Sequence, residues 1–323
     1  MDVLVVGGAG YIGAHVAKAV AAAGHRPVVY DNLSTGHKRA VRWGPLVEGD
    51  LADVVRLDAV MAKVRPAAII HLAAVSDISR ALAAPIDLYR ANVVGALNLI
   101  ERAVAHEVRS FVFSSSCAVY GQPREEALTE GHPKDPINTY GETKRAIEAI
   151  LEGSARAYGL NSIALRYFNA AGASVDGEIG EDHTPETHLI PNVLRAAQDR
   201  DAPVTVNGTD YGTADGTAVR DYIHVDDLAS AHVSALQRLV SGERHGFCAL
   251  NLGSGTGTSV RDVVSAAEAI TGRPVAVTEG ERRAGDADRL IADASLAQTA
   301  IGWRPARSDL DTMIETAWRW HNG

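Results

Sequence analysis

Residues 2–13 read DVLVVGGAGYIG, and this stretch decides the expected fold. Asp2 to Val6 is a short β-branched run with glycines directly after it, which is typical of a buried parallel strand. The glycines allow a tight turn and close approach of the backbone to a bound group, and an alanine-rich helix follows as far as Gly24. We therefore predict that an α/β fold begins with a strand, a glycine turn and a helix.

The next element completes a dinucleotide-binding unit. A second predicted strand, Pro27 to Tyr30, is closed by Asp31. A carboxylate about 20 residues beyond the glycine turn meets the adenosine ribose hydroxyls of a bound dinucleotide, and it would repel a 2′-phosphate. The sequence therefore predicts that NAD, rather than NADP, binds at the glycine turn.

The alternation of strands and helices continues along the chain. We predict strands at 45–47, 68–72, 110–114, 162–165, 203–206 and 249–252, and helices at 54–64, 85–106, 140–158, 191–200 and 226–239. The expected fold class is α/β, a doubly wound parallel (Rossmann) sheet with a smaller α/β substrate-binding domain. The predicted domains are residues 1–172 with a return at about 220–253 for NAD, and residues 173–219 and 254–323 for the substrate.

Two polar residues near the predicted strand ends have alternative interpretations. Asp50 could accept a hydrogen bond from the adenine amino group, or it could cap the following helix. Asn92, within the predicted helix 85–106, is either a buried polar contact to a loop or a cofactor-site residue. The sequence leaves both choices open.

The run Tyr140-Gly141-Glu142-Thr143-Lys144 predicts an acid/base pair. Residues four apart lie on one face of a helix, so the lysine ammonium can stabilise a tyrosine phenolate. Lowering a phenol pKa of about 10 by ~3 units takes ~4 kcal/mol. One cation ~5 Å away at an effective dielectric of ~20 supplies roughly 3 kcal/mol, and a cationic cofactor could supply the rest. Ser116, at the end of the fifth strand, could reach the same substrate oxygen.

Composition excludes several other classes of protein. The formal net charge of -9 argues against nucleic acid or an anionic membrane as the main partner. The two cysteines, Cys117 and Cys248, form neither a disulfide framework nor a CxxC metal pattern, and the histidines show no helical pair or mixed His/Cys cluster. We therefore expect a cytoplasmic protein without a membrane span and without a metal.

The chain resembles the extended short-chain dehydrogenase/reductase family, and within it the NAD-dependent nucleotide-sugar epimerases. The resemblance covers essentially the whole chain, and it rests on a combination of motifs rather than on any single one. These motifs are Gly7 to Gly13, Asp31-Asn32-Leu33, Ser114 to Gly121, Tyr140 to Lys144, Arg166 to Asn169 and Val219 to Val225.

The resemblance implies a role for each matching residue. Tyr140 is the expected base, Lys144 its electrostatic partner and a ligand of the nicotinamide ribose, and Ser116 the hydrogen-bond partner of the reacting oxygen. The predicted cofactor-binding residues are Gly7, Gly10, Tyr11, Ile12, Gly13, Asp31, Asn32, Leu33, Ser34, Gly36, Asp50, Leu51, Leu72, Ala73, Ala74, Asn92, Ser114, Tyr140, Lys144 and Phe168. The predicted substrate-binding residues are Ser116, Asn169, His188, Leu189, Val206, Asn207, Arg220, Arg283, Asp286 and Leu290.

The substrate implied by the resemblance is a UDP-sugar. Arg220 and Arg283 would bind its diphosphate, because a guanidinium group can hold two phosphate oxygens at once. The alternative is that each arginine pairs with a nearby carboxylate, either Asp221 or Asp286. Asp286 would accept hydrogen bonds from the uridine ribose, and Val206 and Asn207 would meet uracil through backbone groups.

The implied reaction is epimerisation at carbon 4, with related reactions as alternatives. Dehydratases and decarboxylases of the family carry an acid after the strand-end hydroxyl, where this chain has Cys117 and Ala118. A UDP-pentose substrate and a non-catalytic NAD-binding regulator are further alternatives. Leu290 stands where a tyrosine narrows the sugar pocket in some relatives, so N-acetylated hexosamines are possible substrates.

The loop Val75–Arg80 departs from the family pattern. The resemblance also implies a homodimer through helices 85–106 and 140–158.

Overall fold

The computed structural model describes residues 1–76, 84–242, 246–283 and 286–322. The divergent loop Val75–Arg80 therefore lies outside the described residues from position 77 onward. Among the helices within these ranges, none is long and apolar enough to cross a membrane.

The first half of the chain alternates strands with helices, as expected. The strands are β1 (Asp2–Val6), β2 (Arg26–Asp31), β3 (Leu46–Glu48), β4 (Ala68–His71), β5 (Ser110–Ser116) and β6 (Asn161–Tyr167). The helices are α1 (Tyr11–Ala22), α2 (Val54–Val64), α3 (Pro85–Tyr89), α4 (Gly95–Ala105) and α5 (Thr139–Tyr158). A π-helical turn, Arg90–Val94, joins α3 to α4 within the predicted helix 85–106.

A seven-stranded sheet forms the centre of the molecule. Its strand order is β10-β6-β5-β4-β1-β2-β3, where β10 is Phe247–Leu252, and the strands pair in parallel. Successive side chains of a strand point to opposite faces, so Val3 and Val5 pack in one hydrophobic cluster and Leu4 and Val6 in another. Helices cover both clusters. The predicted doubly wound parallel fold is confirmed.

The second half of the chain forms smaller sheets, which lie beside the carboxyl edge of the seven-stranded sheet. Its remaining strands are β7 (Asn169–Ala171), β8 (Val204–Asn207), β9 (Val219–His224), β11 (Gly257–Ser259), β12 (Val277–Gly280) and β13 (Arg289–Leu290). Its helices are α6 (Leu189–Gln198), α7 (Val225–Val240), α8 (Val260–Thr271), α9 (Ser295–Ile301) and α10 (Leu310–Asn322). Strand β9 pairs with β7, β11 and β13, and β8 pairs with β12.

The structure corrects the expected bounds of this half. Helix α6 begins at Leu189 rather than at residue 191, because Pro191 lies in the first turn, where a missing N–H donor costs nothing. Strand β9 was not predicted as a strand. It pairs with short segments distant in sequence, so its own residues carry little periodic signal.

The chain returns to the central sheet after the smaller sheets begin. Strand β10 lies beside β6, and α7 packs against the cluster that contains Val3. Ala297 and Trp303 belong to that cluster as well, so part of the segment 254–323 packs on the first sheet. The division into 1–172 with a return at about 220–253, and 173–219 with 254–323, remains a proposal.

Candidate active site

The glycine turn between β1 and α1 leaves no room for side chains on its inner side. Gly7 has φ +84°, and a Cβ there would lie 2.5 Å from the Ala73 nitrogen. A Cβ on Gly13 would lie 2.0 Å from the Gly7 carbonyl oxygen, so α1 packs directly on the turn. At Gly10, by contrast, the nearest atom would be 3.5 Å away, and no side chain caps the N-terminus of α1. This helix N-terminus can therefore bind a pyrophosphate.

Asp31 fastens the turn to the end of β2. Its Oδ2 accepts a hydrogen bond from the Ala9 N–H at 2.9 Å, and its Oδ1 accepts one from the Leu33 N–H at 2.8 Å. Ionised carboxylates have about four lone-pair sites, so acceptor capacity remains for ribose hydroxyls. Gly36 lies against Ala9, where a Cβ would come within 2.7 Å of the backbone.

Asp50 does not cap the following helix. Its Oδ2 accepts from the Asn32 side-chain amide at 2.7 Å, and its Oδ1 accepts from the Ala52 N–H at 2.8 Å. The cap of α2 is Asp53, whose side chain accepts from the Arg56 N–H at 2.9 Å. The capping alternative for Asp50 is wrong, and its position near the second strand end fits the adenosine side of the turn.

Asn92 makes the loop contacts that one of its two interpretations predicted. Its side chain exchanges hydrogen bonds with the Val75 backbone, at 2.8 Å to the N–H and 3.0 Å to the carbonyl, and donates to Thr143 Oγ1 at 3.2 Å. It is buried in the π-helical turn, a feature often found at functional sites. Asn92 thereby ties the loop after β4 to the helix that carries Tyr140.

The helix α5 presents Tyr140 and Lys144 to the end of β5. Asn138 caps it by accepting from the Gly141 N–H at 2.8 Å. A Cβ on Gly141 would lie 2.3 Å from the Ala118 carbonyl oxygen, so the glycine lets the helix pack against the turn after Ser116. The Ser116 hydroxyl lies near enough to Tyr140 to oppose the rise in its pKa, and the Lys144 Nζ donates to the Ser114 carbonyl at 2.7 Å. The three predicted catalytic side chains converge here.

Burial dominates the electrostatics of the pair. It raises the pKa of Tyr140 well above the usual value, although the hydrogen bond from Ser116 opposes this. Burial also lowers the pKa of Lys144 to about 7, although the nearby Glu148 carboxylate opposes this. The Lys144 Nζ lies 5.5 Å from the Tyr140 ring centroid. The expectation that one ammonium nearly suffices is wrong for the cofactor-free protein, because desolvation penalises both charges.

A buried ion pair supports this centre from below. Arg166 and Glu148 form a bidentate pair at 2.8 and 2.6 Å, with each side chain only 2% exposed. Ser115 donates to the same carboxylate at 2.7 Å, and Tyr120 accepts from Arg166 at 2.9 Å. Because Glu148 lies one turn beyond Lys144, this network fixes α5 against β5 and β6.

Arg220 and Asp286 form an ion pair on the substrate side. Arg220 also donates to the Val219 carbonyl at 2.8 Å. Asp221, the other predicted partner of Arg220, instead accepts hydrogen bonds from the N–H groups of Ser254 and Ala292. Arg220 therefore pairs with Asp286, another predicted substrate residue, and its remaining N–H donors are still available for phosphate oxygens.

The other predicted substrate residues are spread around the smaller sheets. Arg283 is exposed, and its carbonyl accepts from the Asp286 N–H at 3.2 Å. Val206 and Asn207 end β8, and Asn169 begins β7. Leu189 is the first residue of α6, and His188 precedes it with its side chain directed to Glu181 and Glu186.

Leu290 lies near the expected cofactor residue Phe168. Strand β13 places Leu290 opposite Arg220 on β9, and its side chain packs against the cluster of Phe168, Val119 and Tyr120, as does Cys117. Leu290 is only partly buried, so its side chain borders the site instead of filling the core.

Sequence reasoning missed two residues of this region. The Tyr211 hydroxyl donates to Asp286 Oδ2 at 3.2 Å, and the Arg282 guanidinium lies 3.9 Å from the Tyr211 ring centroid. Arg282 also donates to Asp288 at 2.5 Å. Tyr211 stands in a loop rich in Gly, Asp and Thr, and no pattern in that loop indicates its contact.

The donor set of the first half fits a dinucleotide. Three features lie at one edge of the parallel sheet: the glycine turn, whose Gly7 and Gly13 have no room for a Cβ, the N-terminus of α1, which no side chain caps, and the Asp31 carboxylate, which can accept further hydrogen bonds. Open α/β sheets bind ligands at this edge. Fold and site together define a dinucleotide-binding α/β protein.

Comparison with known proteins supports the assignment to the dinucleotide-binding α/β class. The family model described as the NAD dependent epimerase/dehydratase family matches residues 3–253, and the chain belongs to that family. A UDP-glucose 4-epimerase of Rhizobium leguminosarum bv. trifolii is 49% identical over 319 residues, which cover 99% of this chain and 97% of the relative. The predicted family resemblance and NAD cofactor are confirmed.

Two solved structures extend the similarity to three dimensions. The UDP-glucose 4-epimerase from Brucella ovis in complex with NAD has a TM-score of 0.95 and 50% identity, covering 98% of this chain and 97% of that one. The UDP-glucose 4-epimerase from Bifidobacterium longum in complex with NAD+ and UDP has a TM-score of 0.94 and 34% identity, covering 100% and 98%.

Proposed function

We propose that this protein interconverts UDP-galactose and UDP-glucose by NAD-dependent epimerisation at carbon 4. The observation that carries the proposal is the convergence of Ser116, Tyr140 and Lys144 at the sheet edge where the glycine turn lies. Relatives named UDP-glucose 4-epimerase, at up to 49% identity over nearly the whole chain, support it.

The chain's own residues handle the proton. Tyr140, once ionised, removes the proton of the sugar 4-hydroxyl, and Ser116 donates a hydrogen bond to the same oxygen. NAD held at the glycine turn would supply the hydride chemistry at carbon 4, and once the 4-keto sugar has turned over, Tyr140 would return the proton to its 4-oxygen as the hydride comes back to the opposite face. Because burial opposes the phenolate, Lys144 must be protonated and the site positively charged for Tyr140 to act as the base.

The substrate side would hold the UDP moiety. We assign Arg220 and Arg283 to the diphosphate and Asp286 to the uridine ribose, with Tyr211 as a positioning residue for Asp286. Arg220 is only 12% exposed, so its guanidinium is held in place before the substrate arrives. A pre-positioned guanidinium loses less conformational entropy when it binds phosphate.

Dehydration and decarboxylation are disfavoured by the turn after Ser116. Burial raises the pKa of the Cys117 thiol to about 12, so it cannot act as a base near neutral pH. Ala118, where the resembling enzymes carry an acid, offers only its N–H, which donates to Ser116 Oγ at 3.2 Å. A 4,6-dehydratase would need an additional acid and base at these positions.

The assay for this function uses purified protein and UDP-galactose without added NAD. We expect UDP-glucose to form until the two sugars reach equilibrium. A 4-keto-6-deoxy product would identify a dehydratase instead. Absence of product even with NAD added would overturn the proposal and favour a non-catalytic NAD-binding regulator.

The size of the sugar pocket depends on Leu290. Because leucine is smaller than tyrosine and this side chain borders the Phe168 cluster, we propose that N-acetylated UDP-hexosamines are also accepted. Leu290→Tyr should then reduce turnover of UDP-N-acetylgalactosamine by about tenfold or more relative to UDP-galactose. The exposed Leu296→Tyr is the control. If the wild-type protein turns over UDP-galactose but not the N-acetylated sugar, this proposal is wrong, and UDP-pentoses should be assayed next.

We propose a homodimer that pairs the α3–α4 segment and α5 of two chains. Four apolar residues of the α3–α4 segment are exposed, namely Ile86, Tyr89, Val94 and Leu97. Helix α5 lies beside this segment. Light scattering should give twice the chain mass, and Ile86→Lys combined with Leu97→Lys should give the single-chain mass.

The cytoplasm is the compartment that we propose, since Cys117 and Cys248 are both free thiols.

A further inference from the structure

Four side chains between β7 and α6 converge on one point. They are Glu181, His183, Glu186 and His188, and one ligand atom from each lies within 4.8 Å of the others. The glutamate side chains are only 5% and 10% exposed, while those of His183 and His188 are 28% and 50% exposed. Two carboxylates are therefore held inside the protein with two imidazoles.

The spacing of these atoms is close to that of a coordination tetrahedron. Zinc bonds of about 2.0–2.1 Å place neighbouring ligand atoms roughly 3.3 Å apart in a tetrahedron. Here Glu181 lies 3.1 Å from His183 Nδ1 and 2.7 Å from His188 Nδ1. Glu186 lies 2.9 Å from His188 Nδ1 through one oxygen and 3.7 Å from His183 Nδ1 through the other. The remaining pairs of ligand atoms lie within 4.8 Å of one another, so side-chain shifts of up to about 1.5 Å would bring all four to the distances of a tetrahedral ion.

The charge and chemistry of the donors select the ion. Two ionised carboxylates with neutral imidazoles carry two negative charges, which a divalent cation balances. Imidazole nitrogen suits zinc and its transition-metal neighbours, whereas calcium and magnesium prefer oxygen ligands alone. Four protein ligands also match a closed, structural zinc site rather than a catalytic one.

The surrounding contacts hold the four ligands in place before any ion binds. The Trp320 indole N–H donates to the Glu181 carbonyl at 3.0 Å, which ties the segment to α10. Between the first two ligands, the Asp182 carbonyl lies 3.0 Å from His37 Nε2, in the segment after β2. The His183 ring meets the Tyr11 ring edge-on at 6.3 Å, at the start of α1.

We propose that Glu181, His183, Glu186 and His188 form a structural zinc site that orders the loop before α6, where this loop contacts the glycine-turn helix and α10. This site departs from the expectation of no metal. That expectation rested on the absence of helical histidine pairs and His/Cys clusters, whereas these ligands are glutamates and histidines that alternate along a loop. The site includes His188, which the family resemblance places among the substrate residues, but zinc binding is measured without the epimerase assay.

The first experiment uses the wild-type NAD-bound protein. After treatment with a chelator, zinc is added back and binding is measured by calorimetry, with calcium and magnesium as parallel arms. We expect one zinc per chain and a rise in Tm of about 3–5 °C at zinc concentrations about 100 times Kd. Cobalt(II) in place of zinc should give the intense visible absorption of a tetrahedral complex. No zinc binding would show that the four side chains form ion pairs only, and the weak spectrum of octahedral cobalt would overturn the closed four-ligand site.

Variants separate this site from adventitious binding by surface histidines. His183→Gln and Glu186→Gln should each weaken zinc binding by about tenfold or more. The matched control is His106→Gln, because His106 also pairs with a carboxylate, Asp58 of α2, at 2.9 Å and lies outside the cluster. An equal zinc-dependent rise in Tm in the control and in His183→Gln would overturn the proposal. If either variant fails to fold, the cobalt spectrum of the wild type remains decisive.

Discussion

The carboxyl edge of the central sheet and the smaller sheets hold their functional groups in different ways. At the sheet edge, buried contacts fix the groups: Lys144 is 2% exposed, and a glycine turn packs backbone against backbone. In the smaller sheets the expected substrate residues are more open, since Asp286 is 31% exposed and Arg283 is exposed. The comparison indicates that buried contacts hold the reaction centre rigidly, whereas the nucleotide-sugar side, apart from the pre-positioned Arg220, is more open to solvent.

The strongest test of the rigid region is Tyr140→Phe, which removes only the phenolic oxygen. Loss of a positioned base costs about 10²–10⁴ in rate, so kcat should fall by that factor with little change in NAD content. Steady-state assays with UDP-galactose measure it. Tyr158→Phe on the same helix, at an exposed position, is the matched control and should leave kcat unchanged. If Tyr140→Phe keeps a tenth or more of the activity, Tyr140 is not the base.

Breaking the buried Arg166–Glu148 ion pair tests whether the stability of the region around Tyr140 and Lys144 depends on buried charge. Arg166→Met leaves Glu148 buried without its partner, and we expect a loss of about 3–5 kcal/mol in the free energy of unfolding. Denaturant titration measures the change. Arg156→Met breaks the exposed pair with Glu152 on the same helix, and its effect should stay below about 0.5 kcal/mol. Similar effects of the two variants would contradict the contrast between buried and open charge.

Lys144→Met should raise the stability of NAD-free protein in a pH-dependent way. Burial lowers the pKa of Lys144 to about 7, below its unfolded value, so the unfolded chain binds more protons between that pH and about 10.4. The burial penalty is full below pH 7 and disappears as the pH rises through this window. We expect a gain of roughly 4–5 kcal/mol at pH 6 and almost none at pH 10.5, together with loss of activity. A gain independent of pH would contradict this account.

Asp286→Asn tests the more exposed nucleotide-sugar side, and its effect in free energy should be the smallest of these variants. Removing one charged hydrogen-bond acceptor costs about 1.5–3 kcal/mol, so KM for UDP-galactose should rise about 10–100-fold while NAD content is unchanged. Glu279→Gln, which alters an exposed pair with Arg261 in the same lobe, is the control. A loss of NAD on Asp286→Asn would show that the two regions are not separable.

The sequence predicts the central sheet well because its geometry restricts residue type. Gly7 and Gly13 have no room for a side chain, and β1 is buried on both faces, so both features appear in the sequence. Strands β1 and β2 and helix α2 accordingly lie within a residue or two of their predicted bounds.

The smaller sheets are less predictable because their contacts join distant residues through side chains. The Tyr211–Asp286 contact joins residues 75 positions apart, and the Glu181–His188 cluster, although local, matches neither a helical histidine pair nor a His/Cys metal pattern. Strand β13 has only two residues and is defined by its pairing with β9. Electrostatics were also mispredicted, since helix spacing gives the distance between Tyr140 and Lys144 but not their burial.

The central claim is that one hydride leaves carbon 4 and returns to it on the opposite face. UDP-galactose labelled with deuterium at carbon 4 tests this directly, in ordinary water and with unlabelled NAD. We expect UDP-glucose that retains the deuterium at carbon 4, as read by NMR and mass spectrometry. Replacement of the deuterium by solvent hydrogen during turnover would contradict the account.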